Sequence, residues 1–95
     1  MQAFDIGPET MVVTSVYVTQ SAMPILYVSH EDDEEGGSLW LFHCGNGDYE
    51  MSKMQLVRLD TIIGIDPTVC KIAELPIGHV ATRKSKESSW QIRRE

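Results

Sequence analysis

The alternation of apolar and polar residues predicts strands at both ends of this chain and helices between them. Residues 11–19, MVVTSVYVT, are dense in β-branched and aromatic types, which fit a pleated, half-buried surface. In an extended run Val12, Thr14, Val16 and Val18 point one way, and Val13, Ser15, Tyr17 and Thr19 the other. A turn over Gln20–Met23 and Pro24 leads into a second strand through Ile25–Ser29. A third strand, Leu39–Cys44, is apolar on both faces, the pattern of a central strand with helix over one side. The loop joining these two strands is short enough that antiparallel pairing is the simplest arrangement. Gly45-Asn46-Gly47-Asp48 reads as a turn. Beyond it Leu56, Leu59, Ile62 and Ile63 recur at helical spacing, with Ser52 and Gln55 placed as a capping box. The start of this helix stays open, because Gln55-Leu56-Val57 also reads as a short extended piece. Asp66-Pro67 marks a second helix, with Asp at the cap and Pro at the first helical position. This helix should run to about Glu74, bury Val69, Ile72 and Ala73, and end before Pro76. Ile77–Arg83 and Ser89–Arg93 predict a closing pair of strands, joined by a turn at Lys84–Glu87.

Strands, then helices, then strands, with no internal repeat, predict an α+β domain: a single small antiparallel sheet of about five strands with two short helices packed on one face. Residues 1–10, which contain Gly7-Pro8 and little periodicity, read as a loosely ordered arm, and 11–95 as the domain. The 95 residues suffice for one domain, with a core of about 20 residues that needs no metal or disulfide. No stretch approaches the roughly 20 apolar residues of a membrane span. The N-terminus lacks a basic segment followed by an apolar one, so the expected location is the cytoplasm, with Cys44 and Cys70 as reduced thiols.

Charge changes the picture most. Residues 1–52 hold nine acids and no Lys or Arg, a net −9; residues 53–95 hold five acids and eight bases, a net +3. A nucleic-acid binder needs cations to displace counterions from phosphates, and the first half has none, so no nucleic-acid partner is expected. The basic residues of the tail, Arg83, Lys84, Lys86, Arg93 and Arg94, read as a solvated terminal hairpin or as partners of the acidic half. The run Glu31-Asp32-Asp33-Glu34-Glu35 resists burial by mutual repulsion and forms a solvated loop. It lacks the alternating spacing and closing Glu of a calcium loop. With Asp48 and Glu50 it is the candidate contact surface for a basic protein partner, which an acidic face attracts by steering.

Other chemistry finds little support. His30, His43, His79, Cys44 and Cys70 show no metal-ligand spacing. His43 and Cys44 are adjacent, so on a strand they face opposite sides. Nothing resembles a nucleophile elbow or a phosphate loop. No catalytic residue, metal or cofactor is therefore expected. An enzyme built on Cys44 with His43 or His79 ranks behind a binding domain and behind a structural or regulatory homo-oligomer paired through an edge strand. Trp40 reads as core, and Trp90 as a clasp on the sheet or an interface residue.

Several short motifs occur in a telling order: Ile25-Leu26-Tyr27-Val28 before an acidic, Gly-containing loop; Trp40-Leu41-Phe42 with Gly45 shortly after; Ile65-Asp66-Pro67 behind an apolar Leu59/Ile62 segment; and Pro76-Ile77-Gly78. In this order, over about residues 12–92, the chain resembles a bacterial family of small domains of unknown function grouped with immunity protein thirty-three of polymorphic-toxin systems. It departs from that pattern at His30-Glu31, where the family shows an Arg-Glu pair, and at Asn46-Gly47, which intervenes before Asp48. The resemblance implies an α+β domain acting as an antitoxin-like immunity protein. Such a protein binds and blocks a cognate toxin in the producing cell's cytoplasm without catalysis.

Overall fold

The computed structural model describes residues 4–32 and 37–95. Six strands form one sheet: β1 (Met11–Ser15), β2 (Tyr27–Asp32), β3 (Ser38–His43), β4 (Met54–Arg58), β5 (His79–Thr82) and β6 (Gln91–Arg94). Two α-helical segments, α1 (Val16–Thr19) and α2 (Leu59–Ile65), and two 3-10 helices, Met51–Lys53 and Pro67–Ile72, lie between them. The α+β class is as expected, with two corrections to the sheet: it has six strands rather than five, and it is mixed rather than antiparallel. The strand order is β4-β1-β3-β2-β5-β6, with β1 parallel to β3 and every other neighbour antiparallel. β1 and β2 run in opposite directions one strand's width apart, and β3 fills the gap. A strand antiparallel to β2 is then necessarily parallel to β1. Sequence order hides this, because it suggests that consecutive strands are neighbours.

The sixth strand is the piece left open as helix or extended chain. Met54–Arg58 pairs with all of β1, from Met11 opposite Arg58 to Ser15 opposite Met54. Ser52 belongs to the short 3-10 turn and makes no cap, and α2 begins only at Leu59. β1 in turn stops at Ser15, short of the expected Thr19, because its partner β4 begins opposite that residue. The β-branched residues that follow coil into α1, which buries Val18 in the core.

One sheet face carries Val12, Val28, Trp40, Phe42 and Ala81, covered by Leu59 and Ile62 of α2 and by Val69 and Ile72 of the second 3-10 helix. The 3-10 helix Met51–Lys53 is not part of this layer, since its Met51 borders the other face. The described part of the N-terminal arm is better held than its sequence suggests. Phe4 packs edge-on against Trp40 with ring centroids 4.9 Å apart, and Asp5 accepts a 3.0 Å hydrogen bond from the Trp40 indole. The carbonyls of Thr10 and Pro8 accept from the N–H groups of Leu59 and Asp60 at 2.9 and 3.0 Å, satisfying free donors at the start of α2. Gly45 and Gly78, both singled out in the sequence, have φ of +74° and +84°, a region that disfavours any side chain.

Asp66-Pro67 starts its helix as predicted. The Asp66 side chain accepts from the Thr68 N–H at 3.0 Å, and Pro67 takes the first helical position. Its other oxygen meets the Arg83 guanidinium at 2.7 Å, with the two side chains only 3 % and 1 % exposed. Arg83 also donates to the Ile25 carbonyl, the Thr68 hydroxyl and the Lys86 carbonyl, each at 3.0 Å, and lies 4.2 Å over the Trp90 ring. Burial pushes the Asp66 carboxyl up, but the hydrogen bonds from Thr68 and Arg83 and the Arg83 charge outweigh it and hold the carboxyl below its ordinary range. A depressed carboxyl contributes stability that is complete above the unfolded-state pKa of about 4 and is lost as pH falls through the folded value. Asp66→Asn keeps a capping side chain but leaves Arg83 buried without a counter-charge. It should lower the urea-unfolding free energy by about 3–5 kcal/mol and remove the Asp66 share of the acid-side loss of stability.

Candidate docking surface

Side chains alternate along a strand, so the residues between the core positions face the other side of the sheet. There the register places Val13 beside Leu41 and opposite Leu56, with Met54 one pleat along on β4 and Leu39 on β3. In most sheets with helices on one face this second face is polar. Here it is largely apolar and open. Leu39 is 40 % exposed, Leu56 64 % and Met51, beside β4, 86 %. These residues, with Ser29, Glu31 and Tyr49, line a shallow depression of about 540 Å³. Contiguous exposed apolar surface of this kind marks interaction sites in soluble domains.

The segment after β3 borders the depression and is sewn to the sheet. His43 faces this side at the end of β3 and is fully buried. The Gly45 N–H donates to its Nδ1 at 2.8 Å, and its Nε2 lies 2.9 Å from the Asp48 carbonyl. Gly45 can only donate and the carbonyl can only accept, so both contacts are met by the neutral ring protonated on Nε2. Tyr49 stacks on that ring with centroids 4.1 Å apart and meets Tyr27 edge-on at 6.0 Å. Both imidazole nitrogens are therefore committed to holding the turn.

The acidic candidates fall into three groups. Glu31 and Asp32 end β2 and are exposed, and Glu31 lines the depression itself. Asp33, Glu34 and Glu35 lie outside the described residues. Asp48 and Glu50 flank Tyr49 beyond β3. Glu50 is exposed, between the two lining residues Tyr49 and Met51, whereas the Asp48 carboxylate is engaged internally. It accepts from the Tyr17 hydroxyl and, at 3.2 Å, from the Glu50 N–H. The structure thus brings Glu31 and Glu50 to the edge of one apolar depression and gives Asp48 a bracing role.

The sequence reading missed the centre of this surface. Its signal was present in Val13 and in Leu39 and Leu41, apolar on the side away from the core, but a central strand between two covered faces gives the same pattern. Cys44 turns inward, 3 % exposed within the core cluster, on the opposite side from His43. Cys70 is half-buried in the second 3-10 helix. Among the described residues, no three His, Cys, Asp or Glu side chains are grouped so as to hold a metal ion. No described helix is long and apolar enough to cross a membrane.

The bond from Tyr17 is the main reason the Asp48 carboxyl lies below its ordinary range, supported by the Glu50 N–H. Tyr17→Phe should raise the Asp48 pKa toward that of a free aspartate, read from the side-chain carboxyl carbon in an NMR pH titration. No family model, curated protein or solved structure matches this chain.

Proposed function

We propose that the chain is a non-enzymatic protein-binding domain of the immunity type, which docks a cognate bacterial toxin on the open face of its sheet and blocks it. The observation that carries this reading is the exposed apolar depression around Leu39, Met51 and Leu56, lined also by Glu31, with the exposed Glu50 between its lining residues Tyr49 and Met51. Leaving these side chains in water forgoes burial of the kind that drives most protein association. The acidic border supplies the other half of the recognition. It favours a partner whose contact patch is apolar at the centre and basic at the margin, and it speeds encounter with such a patch. The order of motifs resembling the immunity family supports the toxin as the particular partner, in the cytoplasm of the producing cell.

The same face favours a second reading, a structural or regulatory homo-oligomer, because two copies could cover each other's depressions. Light scattering across a concentration series separates the two: a monomer at all concentrations removes the second reading.

The test uses the purified product of the adjacent gene and calorimetry at low and high salt. Leu56→Asp, at an exposed position, should weaken binding at least about tenfold. Glu31→Gln with Glu50→Gln should weaken it at low salt and much less at high salt, where screening already removes the attraction. Binding that neither change affects would exclude this face as the site.

A further inference from the structure

The sheet ends in two edge strands, β4 and β6, and they are not alike. Along an antiparallel ladder, residues that turn both backbone groups toward the partner strand alternate with residues that turn both away. The Leu59 N–H donates to the Thr10 carbonyl at 2.9 Å, in the register that sets Arg58 opposite Met11. Val57 and Gln55 therefore bond to β1, whereas Met54, Leu56 and Arg58 turn their groups off the edge of the sheet. Two of these outward groups are already used. The Met54 N–H donates to the Met51 carbonyl, and the Arg58 carbonyl, at the N-cap of α2, accepts the first helical bond. The Met54 carbonyl, both groups of Leu56 and the Arg58 N–H are left, with no backbone partner among the described residues.

Such an edge templates pairing with a further strand unless charge, proline or a bulge blunts it. β6 is blunted: its residues are all exposed, and Arg93 and Arg94 stand side by side. β4 is not. Its one charged residue, Arg58, is matched by Asp60 at 2.8 Å. It contains no proline, and its five residues pair with β1 without a bulge. At its centre is Leu56, a large apolar side chain left mostly in water.

The open groups are also self-complementary. They comprise two donors and two acceptors, placed evenly about Leu56. A second β4 laid alongside in antiparallel orientation, with a twofold axis level with Leu56, satisfies every one of them. Each Leu56 N–H donates to the Leu56 carbonyl of the second copy, and each Arg58 N–H to the second copy's Met54 carbonyl. We propose that β4 is a self-association edge, through which two copies of this chain form a symmetric dimer with their six-stranded sheets joined into one. The two Leu56 side chains then stand opposite each other on one side of the joined sheet and shield each other from water. Both open faces lie on that same side, and neither depression is covered. This dimer is therefore distinct from one in which copies cover each other's depressions, and it does not rest on the docking reading.

The test combines light scattering with amide hydrogen exchange, read by NMR on the whole chain at low and high concentration. Light scattering should show a dimer at high concentration. The Leu56 and Arg58 amides should exchange fast in the dilute chain and slow markedly in the dimer, while those of Gln55 and Val57, bonded to β1, stay slow throughout. Two variants separate backbone pairing from side-chain effects. Arg58 has a φ of −73°, which proline adopts without strain, and its N–H takes no part in the β1 ladder. Arg58→Pro therefore keeps the fold and removes one intermolecular donor from each copy. It should weaken dimerisation at least about tenfold. Arg58→Ala loses the ion pair with Asp60 but keeps the N–H, and should dimerise like the unaltered chain. A chain that stays monomeric up to the concentration of an NMR sample would overturn the proposal. So would a dimer whose Leu56 amide exchanges as fast as in the monomer, the result expected of copies that meet face to face. Full dimerisation of Arg58→Pro, or an equal loss in Arg58→Ala, would overturn it as well.

Discussion

The architecture depends on one buried ion pair. Asp66 caps the 3-10 helix Pro67–Ile72 and Arg83 directly follows β5, and their side chains are almost completely excluded from solvent. Neither charge would be tolerable there alone. Together they organise four segments: the 3-10 helix through Thr68, the approach to β2 through the Ile25 carbonyl, the terminal turn through the Lys86 carbonyl, and Trp90 through the stacked guanidinium. The hydrogen bonds among these contacts use the donors of the buried guanidinium, which burial would otherwise leave unmade. Beyond the buried charges themselves, the pair fixes where the β5–β6 hairpin sits relative to the helical layer, and therefore the shape of the cleft between them.

The second organising element is β3. Paired on both sides, it sends Trp40 and Phe42 into the helix-covered core and Leu39 and Leu41 to the open face. Trp40 is held from several directions. His30 stacks on it at 3.9 Å, Phe4 meets it edge-on, and Asp5 accepts its N–H. A rigid strand of this kind keeps the apolar residues on its far side in a fixed array. On the docking reading proposed above, that rigidity lowers the ordering required on binding.

How much of this was legible in the sequence depended on whether the relevant constraint was local. Asp66-Pro67 and Gly45 state backbone geometry in one or two residues, and the structure places each as predicted, whereas Gly78, read as part of a strand from Ile77, takes a φ of +84° just before β5. The α+β class follows from periodicity alone. The insertion of β3 between β1 and β2 was hidden, because strand order is settled by contacts between residues far apart in sequence. Val16–Thr19 was misplaced, and Gln55–Val57 left between helix and extended chain, for the same reason: the length of the β1–β4 ladder determines where strand gives way to helix. At the candidate site the exposed acids were visible as charge, while the apolar depression beside them was not. A leucine in a strand gives no sign of whether anything lies over it. The role of Arg83 was equally hidden, since a basic residue near a C-terminus looks like solvated surface until its partner 17 residues earlier is brought beside it.

The lopsided charge of the chain acquires a spatial meaning in the fold. β1, β2 and β3 all come from the half that contains no Lys or Arg, and they supply the middle of the open face together with Glu31 at its border. The cations arrive later, and Lys71 and Lys86 gather around a cleft on the helix-bearing side. The two surfaces are thus separated by the thickness of the sheet and carry opposite local charge, although they are built from a single small core. Such segregation has a physical consequence for selectivity. On the docking reading proposed above, a basic macromolecule attracted by the carboxylates at the open face is repelled by the ammonium groups of Lys71 and Lys86 if it approaches the other side.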